Sequence, residues 1–315
     1  MKAIVLHQFG DVGQFKLEEV KKPTSREDQV LINIKAIGIN PVDTKVRAGT
    51  NRIAKNMELP AVIGWDVSGV ISECGKEVRG LKEGDAVFGC IGFPGAGGAY
   101  AEYAVAEENS LALKPKSVSF EEAAAIPIVG LTAYQAIFEH LNIQNGQNLL
   151  IQAAAGGVGH ISVQLAKQAG AYVIGTASAS NKDFLLDLGI DRVIDYKKEK
   201  FEDRIEKVDA VQDAIGGEVL YRSINCTREG GKVLCLPSST KNDPKAIELA
   251  NARNISLQWP IMHPDKKQLE KLGELMDNRE LKVNIDGVFG FEGMDRAHQA
   301  IETHSTRGKI VVKVG

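Results

Sequence analysis

The stretch Ala153-Ala154-Ala155-Gly156-Gly157-Val158-Gly159 constrains this chain's fold more than any other part of its sequence. It follows an apolar run, Asn148-Leu149-Leu150-Ile151-Gln152-Ala153, and opens a segment from Val158 to Gly170 with helical patterning. A second apolar run, Ala171-Tyr172-Val173-Ile174-Gly175-Thr176, comes next. Strand, glycine turn, helix and strand in this order within about 30 residues seat a dinucleotide pyrophosphate on a helix N-terminus. The glycines have separate physical tasks. One permits the tight turn, one lets backbone approach phosphate, and one lets helix and strand pack closely. The helix adds unpaired N–H groups and the positive end of its dipole. We expect Ala155, Gly156, Gly157, Val158 and Gly159 to line this site.

The second strand ends Gly175-Thr176-Ala177-Ser178. Sites that prefer NAD place a carboxylate near this point to hold the ribose 2′-hydroxyl. Ala177 leaves room for a 2′-phosphate and does not repel it. Ser178 can donate a hydrogen bond to such a phosphate, Lys182 can bring it a positive charge, and Tyr196, at the end of the third strand, can cover it. The expected cofactor is NADPH.

The organisation on either side of this unit differs. The first 120 residues read as short strands broken by glycine, among them Ala3-Ile4-Val5-Leu6, Val30 to Ile39, Val67 to Ile71, Asp85 to Gly89 and Ala99 to Val105. That spacing predicts a barrel-like β domain. Ser119-Phe120-Glu121-Glu122 carries a helix cap and first-turn acids. From about 125 to 260 strands alternate with helices, the pattern of a doubly wound parallel sheet. One helix, Lys266 to Asn278, follows, and the chain closes on an apolar strand, Lys309 to Val314. A lone terminal strand needs a sheet partner, and return to the first domain supplies one. The expected domains are 1–122 with 263–315, and 123–262 between them.

Composition excludes several classes. With 43% hydrophobic and 25% charged residues and a net charge of −3, the chain has neither a nucleic-acid face nor a membrane-surface patch. Met1-Lys2-Ala3-Ile4-Val5-Leu6 is too short for a signal peptide, and no apolar run reaches the roughly 18 residues of a membrane span. A cytoplasmic location is expected. Cys74, Cys90, Cys226 and Cys235 form no C-x-x-C pair and read as free thiols.

Seven segments, in order along nearly the whole chain, together resemble the zinc-free quinone oxidoreductases and enone (2-alkenal) reductases of the medium-chain dehydrogenase/reductase family. They are Gly38-Ile39-Asn40-Pro41-Val42-Asp43-Thr44-Lys45-Val46-Arg47-Ala48-Gly49, Pro60 to Val70, Gly98-Ala99-Tyr100-Ala101-Glu102-Tyr103, Leu131-Thr132-Ala133-Tyr134, the glycine loop, Val208 to Gly217, and Arg307-Gly308-Lys309-Ile310-Val311. The resemblance implies a chaperonin-10-like (GroES-like) barrel completed by the C-terminus, a Rossmann nucleotide domain, an active cleft between them, and a homodimer. Zinc-dependent relatives place a Cys in the first loop and a His-Glu pair in the second. The matching residues here are Asn40 and Trp65-Asp66, which cannot assemble a tetrahedral site of the required ligands. The six histidines are scattered without metal-binding spacing, so no metal is expected.

The implied reaction is transfer of hydride from NADPH to a quinone or to the β-carbon of an enone, either of which leaves negative charge on an oxygen. Asn40 is the candidate polar contact near the nicotinamide or the substrate oxygen, and its plainer reading is a turn residue before Pro41. Lys45 stands where many quinone reductases have tyrosine and can lend charge to a developing enolate. Trp65 can provide a flat wall, or belong to the core. Thr132 matches a hydroxyl near the nicotinamide ribose. Asp43 reads as an organiser, and water is an equal candidate for the proton donor. His160 reads as a helix-surface residue. Trp259-Pro260 reads as a sheet edge or a cleft lip. The competing reading is a catalytically silent NADPH-binding sensor, and the well-populated loop from Asn40 to Gly49 favours the enzyme.

Overall fold

The computed structural model describes residues 1–315, which form two compact units, Met1–Leu131 with His263–Gly315, and Thr132–Met262.

The first unit is built on β-sheet. Its long strand Gln29–Ile39 pairs with Asp66–Cys74, Tyr103–Glu107 and the C-terminal strand Lys309–Lys313, all antiparallel. The terminal strand therefore closes this sheet, as its need for a partner requires. Along Gln29–Ile39 both faces are largely covered, so Val30, Leu31, Ile32, Ile34, Ala36 and Ile37 are all buried. A smaller sheet joins Phe15–Glu19, Lys2–Leu6 and Ala61–Val62. Ser119 caps the helix Phe120–Ala125, its hydroxyl accepting from the Glu122 N–H at 3.2 Å while the Glu122 carboxylate accepts from the Ser119 N–H at 2.8 Å. Reciprocal caps of this kind contribute about 1 kcal/mol.

The region after residue 262 holds more than the sequence pattern indicates. The helix Lys266–Asp277 is joined by a strand Ile285–Gly290 and a second helix, Met294–Glu302. The strand runs parallel to the terminal strand and covers its outer edge. Its pattern, Ile285-Asp286-Gly287-Val288-Phe289-Gly290, contains two glycines, which weaken the strand signal. The strand expected from Ala99 begins only at Tyr103. Ala99 and Tyr100 instead bond across to the backbone of Ile63 and Gly64.

The second unit is a six-stranded parallel sheet in the order Arg192–Asp195, Tyr172–Ala177, Asn148–Ile151, Val208–Asp213, Thr227–Cys235, Ser256–Gln258. Numbered along the chain this is 3-2-1-4-5-6, the dinucleotide-binding order, whose ligand crevice lies where strand order reverses, beside the first strand. The core on one face gathers Leu150, Val211, Leu220, Ile224 and Val233. No helix is long and apolar enough to cross a membrane.

Candidate active site

In the second unit the glycine loop leaves the first strand at Ile151 and enters the helix Gly157–Gln168. Ala153 adopts φ 54°, a left-handed conformation that costs a residue with a Cβ about 1–2 kcal/mol. Strain of this kind at a turn accompanies function. A Cβ on Gly159 would lie 2.4 Å from the Ala153 carbonyl oxygen and 2.8 Å from Ala154 Cα, so helix and loop touch there as only glycine permits. A polar chain braces the turn from behind. The Thr176 hydroxyl donates to Gln152 Oε1 at 2.6 Å and accepts from the Ala153 N–H at 3.2 Å. Gln152 Nε2 donates to Ser223 Oγ at 3.0 Å, which donates to Asp213 Oδ2 at 3.2 Å. Asp213 Oδ1 accepts from the N–H groups of Ile215 and Gly216. Burial pushes the Asp213 carboxyl above its usual range. Sequence reading missed this brace, because its members are ordinary strand-end residues scattered over the unit.

At the end of the second strand Ala177 is buried and pairs with Asp195 of the third. The Tyr196 N–H donates to the Ala177 carbonyl, which brings Tyr196 beside the Ala177-Ser178 turn. Tyr196 and Lys182 are exposed and Ser178 is half-buried, its hydroxyl bonded to Ser180 and Asn181. The Asp195 carboxylate turns onto the Lys197 N–H at 3.1 Å. A close-packed glycine turn at a helix N-terminus, followed by a strand end with hydroxyls and a lysine, fits the pyrophosphate and 2′-phosphate of NADPH. Thr132 lies half-buried in the helix Pro127–Tyr134. His160 differs from its expected surface position. It is fully buried, with Nδ1–H on the Gly156 carbonyl at 2.9 Å, and so ties the helix to the glycine turn. Trp259 follows the edge strand, packs on the core and donates to Thr240 Oγ1 at 3.2 Å.

In the first unit the expected loop is a helix, Pro41–Arg47, preceded by Asn40. Pro41 suits the first helical turn because its missing N–H would lack a partner there. The Asp43 carboxylate reaches back to the Asn40 N–H at 2.8 Å. Lys45 is exposed on this helix. Asn40 is 1% exposed. Its Nδ2 donates to Asp66 Oδ2 at 2.9 Å, and its Oδ1 accepts from the Lys309 ammonium at 2.5 Å. Asp66 also accepts from the Ile128 N–H at 2.9 Å, a carboxylate at the start of a helix. Trp65 is wholly buried, with its indole N–H on the Gly95 carbonyl at 3.0 Å and an edge-to-face contact with Phe93.

A buried polar chain continues from Asp43. The Tyr100 hydroxyl donates to Asp43 Oδ2 at 2.9 Å and meets His298 Nε2 at 2.8 Å. Arg47, a donor only, lies 3.4 Å from His298 Nδ1 and 2.6 Å from Glu302 Oε1. The direction is therefore Arg47 to His298, His298 Nε2–H to Tyr100, and Tyr100 to Asp43. Burial and the neighbouring guanidinium push His298 down to about 3, so it is neutral. Burial raises Asp43 to about 7 and Asp66 to about 6, in each case against the pull of Lys309. Burial lowers Lys309, which its two carboxylate neighbours partly restore. Asp43 Oδ1 is buried and makes no hydrogen bond. Asp66, Tyr100, Arg47 and Lys309 lay inside quoted motifs, but no local spacing pointed to their contact, and His298 carried no signal.

These residues do not fit a zinc ion. The positions matching a thiolate and an imidazole are a carboxamide and a buried indole, and the carboxylate faces an ammonium at 3.7 Å. No three His, Cys, Asp or Glu side chains gather to hold a metal. The four cysteines are free, three of them buried.

Two segments of the chain match known families. Residues 26–116 match the alcohol dehydrogenase GroES-like domain, and residues 188–312 match the family described as zinc-binding dehydrogenase. The chain is 38% identical over 323 residues to the 2-methylene-furan-3-one reductase of Solanum lycopersicum, spanning 99% of this chain and 79% of that one. It is 36% identical to the chloroplastic NADPH-dependent alkenal/one oxidoreductase of Arabidopsis thaliana, again over 99% and 79%. Among solved structures, the quinone oxidoreductase from Coxiella burnetii superposes with a TM-score of 0.95 at 38% identity, covering 100% of this chain and 99% of that one. The Escherichia coli quinone oxidoreductase complexed with NADPH superposes with a TM-score of 0.89 at 27% identity, covering 99% and 100%. The fold and the glycine loop define a medium-chain dehydrogenase/reductase. Within that family the chain belongs to the zinc-free quinone oxidoreductase and enone reductase group.

Proposed function

We propose that this protein is an NADPH-dependent reductase whose acceptor is a conjugated carbonyl, the C=C bond of an enone or 2-alkenal, or a quinone. The observation that carries this is the braced glycine turn, together with a second strand end that has Ala177 where an acid would select NAD. The relatives' names agree, and they favour an enzyme over a silent sensor.

NADPH supplies a hydride when bound. The chain's residues then have three tasks. The loop Ala155 to Gly159 presents backbone N–H groups to the pyrophosphate, with Ser178, Lys182 and Tyr196 around the 2′-phosphate. Thr132 offers a hydroxyl to the nicotinamide ribose. Lys45 stabilises the negative charge that develops on the acceptor oxygen, and such stabilisation acts most strongly where water is excluded. Asn40, buried, holds the start of the helix that carries Lys45, with its side-chain N–H groups on Asp66 and, at 3.5 Å, on the Gly38 carbonyl, and Trp65, buried against Gly95 and Phe93, shapes the neighbouring turn. The proton for the product comes from water. The lysine at position 45 supports enones over quinones.

We further propose a cytoplasmic homodimer. Composition supports the location. The short edge strand Ser256–Gln258, which ends the nucleotide sheet with one side unpaired, supports edge-to-edge association.

The test uses NADPH dideuterated at the nicotinamide C4 with a 2-alkenal or enone. The expected product is the saturated carbonyl with deuterium at its β-carbon. A saturated product without label contradicts hydride transfer, and turnover confined to quinones reassigns the acceptor.

A further inference from the structure

The closing motif Arg307-Gly308-Lys309 has no part in the roles above, yet Lys309 is 2% exposed and stands at the centre of a buried cluster. Sheet register puts it there. Ile310 pairs with Ile39, so the next residue outward on the terminal strand meets Asn40, where the long strand ends. The Lys309 ammonium donates to the Ile39 carbonyl at 2.7 Å and to Asn40 Oδ1 at 2.5 Å. Beside it, 3.7 Å from the ammonium, Asp66 Oδ2 accepts from Asn40 Nδ2 at 2.9 Å. One carboxamide is thus gripped at both ends, its oxygen by a cation and its nitrogen by an anion. An ammonium cannot accept and an ionised carboxylate cannot donate, so a flipped Asn40 would set donor against donor and acceptor against acceptor. Buried ion pairs seldom add net stability over an apolar pair of similar volume. An ion pair placed across one amide makes sense as a device for orientation.

We propose that Lys309 and Asp66 are positioning residues that lock the Asn40 carboxamide in one orientation and thereby fix the start of the helix Pro41–Arg47 that presents Lys45. The catalytic consequence rests on the role assigned above to Lys45, whereas the lock itself does not.

The test compares wild type with Lys309→Met and with the double variant Lys309→Met/Asp66→Asn. The single variant strands the Asp66 charge and is expected to lower the melting temperature. The double variant removes both charges, keeps an oxygen for the Ile128 N–H, and is expected to regain most of that loss. It puts an NH₂ where Asp66 Oδ2 stood, opposite the Asn40 NH₂, so the native direction of the Asn40 amide is lost and its oxygen is expected to turn toward the introduced amide. Its kcat with an enone is expected to fall about tenfold to a hundredfold, as misplacement of a reacting group does. Its Kd for NADPH is expected to stay within about twofold, since the glycine turn is untouched. NMR of protein labelled with ¹⁵N-asparagine, with the Asn40 side chain assigned by its absence in Asn40→Ser, reads the lock without turnover. Wild type should show one exchange-protected Asn40 NH₂ pair, and the double variant, in which Asn40→Ser made on the same background separates the Asn40 pair from that of the amide introduced at position 66, a shifted or unprotected one. An unchanged Asn40 signal overturns the lock, and a changed signal with wild-type kcat overturns its link to catalysis. If wild type reduces no acceptor, the reductase reading fails and the NMR result alone decides the lock.

Discussion

Replacing Gly159 by alanine adds a methyl group 2.4 Å from the Ala153 carbonyl oxygen and 2.8 Å from both Cα and O of Ala154. Non-bonded carbon and oxygen atoms need about 3.2 Å or more, so the turn and the helix must separate by several tenths of an ångström at least. All the atoms struck are backbone, so no side chain can swing aside. The displaced segment is the one that offers N–H groups to the pyrophosphate. Loss of one or two charge-assisted hydrogen bonds costs about 1.5–3 kcal/mol each, which weakens NADPH binding by about tenfold to ten-thousandfold. Gly156→Ala is the internal control. Its Cβ meets the Ala153 oxygen at 3.3 Å, a tight contact that a small shift relieves, so a loss under about tenfold is expected. Isothermal titration with NADPH measures both variants, and circular dichroism checks that they fold. Gly159→Ala binding within threefold of wild type, in a folded protein, would refute the assignment of this turn to the pyrophosphate.

Other outcomes follow from the same geometry. Ala153→Gly removes the cost of φ 54° and, after the added freedom of the unfolded chain, should stabilise the protein by about 0.5–1 kcal/mol in chemical denaturation. Lys182→Ala should raise KM for NADPH by about tenfold and leave KM for NADH nearly unchanged, since only the former carries the 2′-phosphate; equal changes would remove Lys182 from the site. The folded protein holds the Asp43 proton up to about pH 7 against 3.8 for the free group. The stabilisation linked to that proton is fully present below pH 3.8 and is lost as pH rises toward 7, about 4 kcal/mol at 1.4 kcal/mol per pH unit. Asp43→Asn should therefore flatten the fall in unfolding free energy between about pH 4.5 and 7.5 measured in urea, and an unchanged slope would show that Asp43 ionises normally.

Local signals made the nucleotide half of this protein readable from sequence. The glycine turn and the acid-free strand end at Ala177 each depend on residues within a few positions of one another, as does the Ser119 cap in the other unit. The terminal strand was readable for a different reason, since an apolar strand must find a partner. Strands Ser256–Gln258 and Ile285–Gly290 were not readable. One has three residues and the other has two glycines, and tertiary pairing rather than propensity makes them strands. The candidate substrate loop was half readable. Its residues stood in quoted motifs, but Lys309 meets Asn40 across 269 positions, and no periodicity encodes such a contact. His160 shows the same limit in reverse, because its burial follows from the Gly156 carbonyl it caps rather than from its own chemistry.

The most direct measurement of the central claim is NADPH oxidation at 340 nm against parallel panels of 2-alkenals, enones and quinones, with NADH as the second donor. The account expects turnover with conjugated carbonyls and kcat/KM for NADPH at least tenfold above that for NADH. Saturable NADPH binding with no acceptor reduced in any panel, or equal use of the two donors, would contradict it.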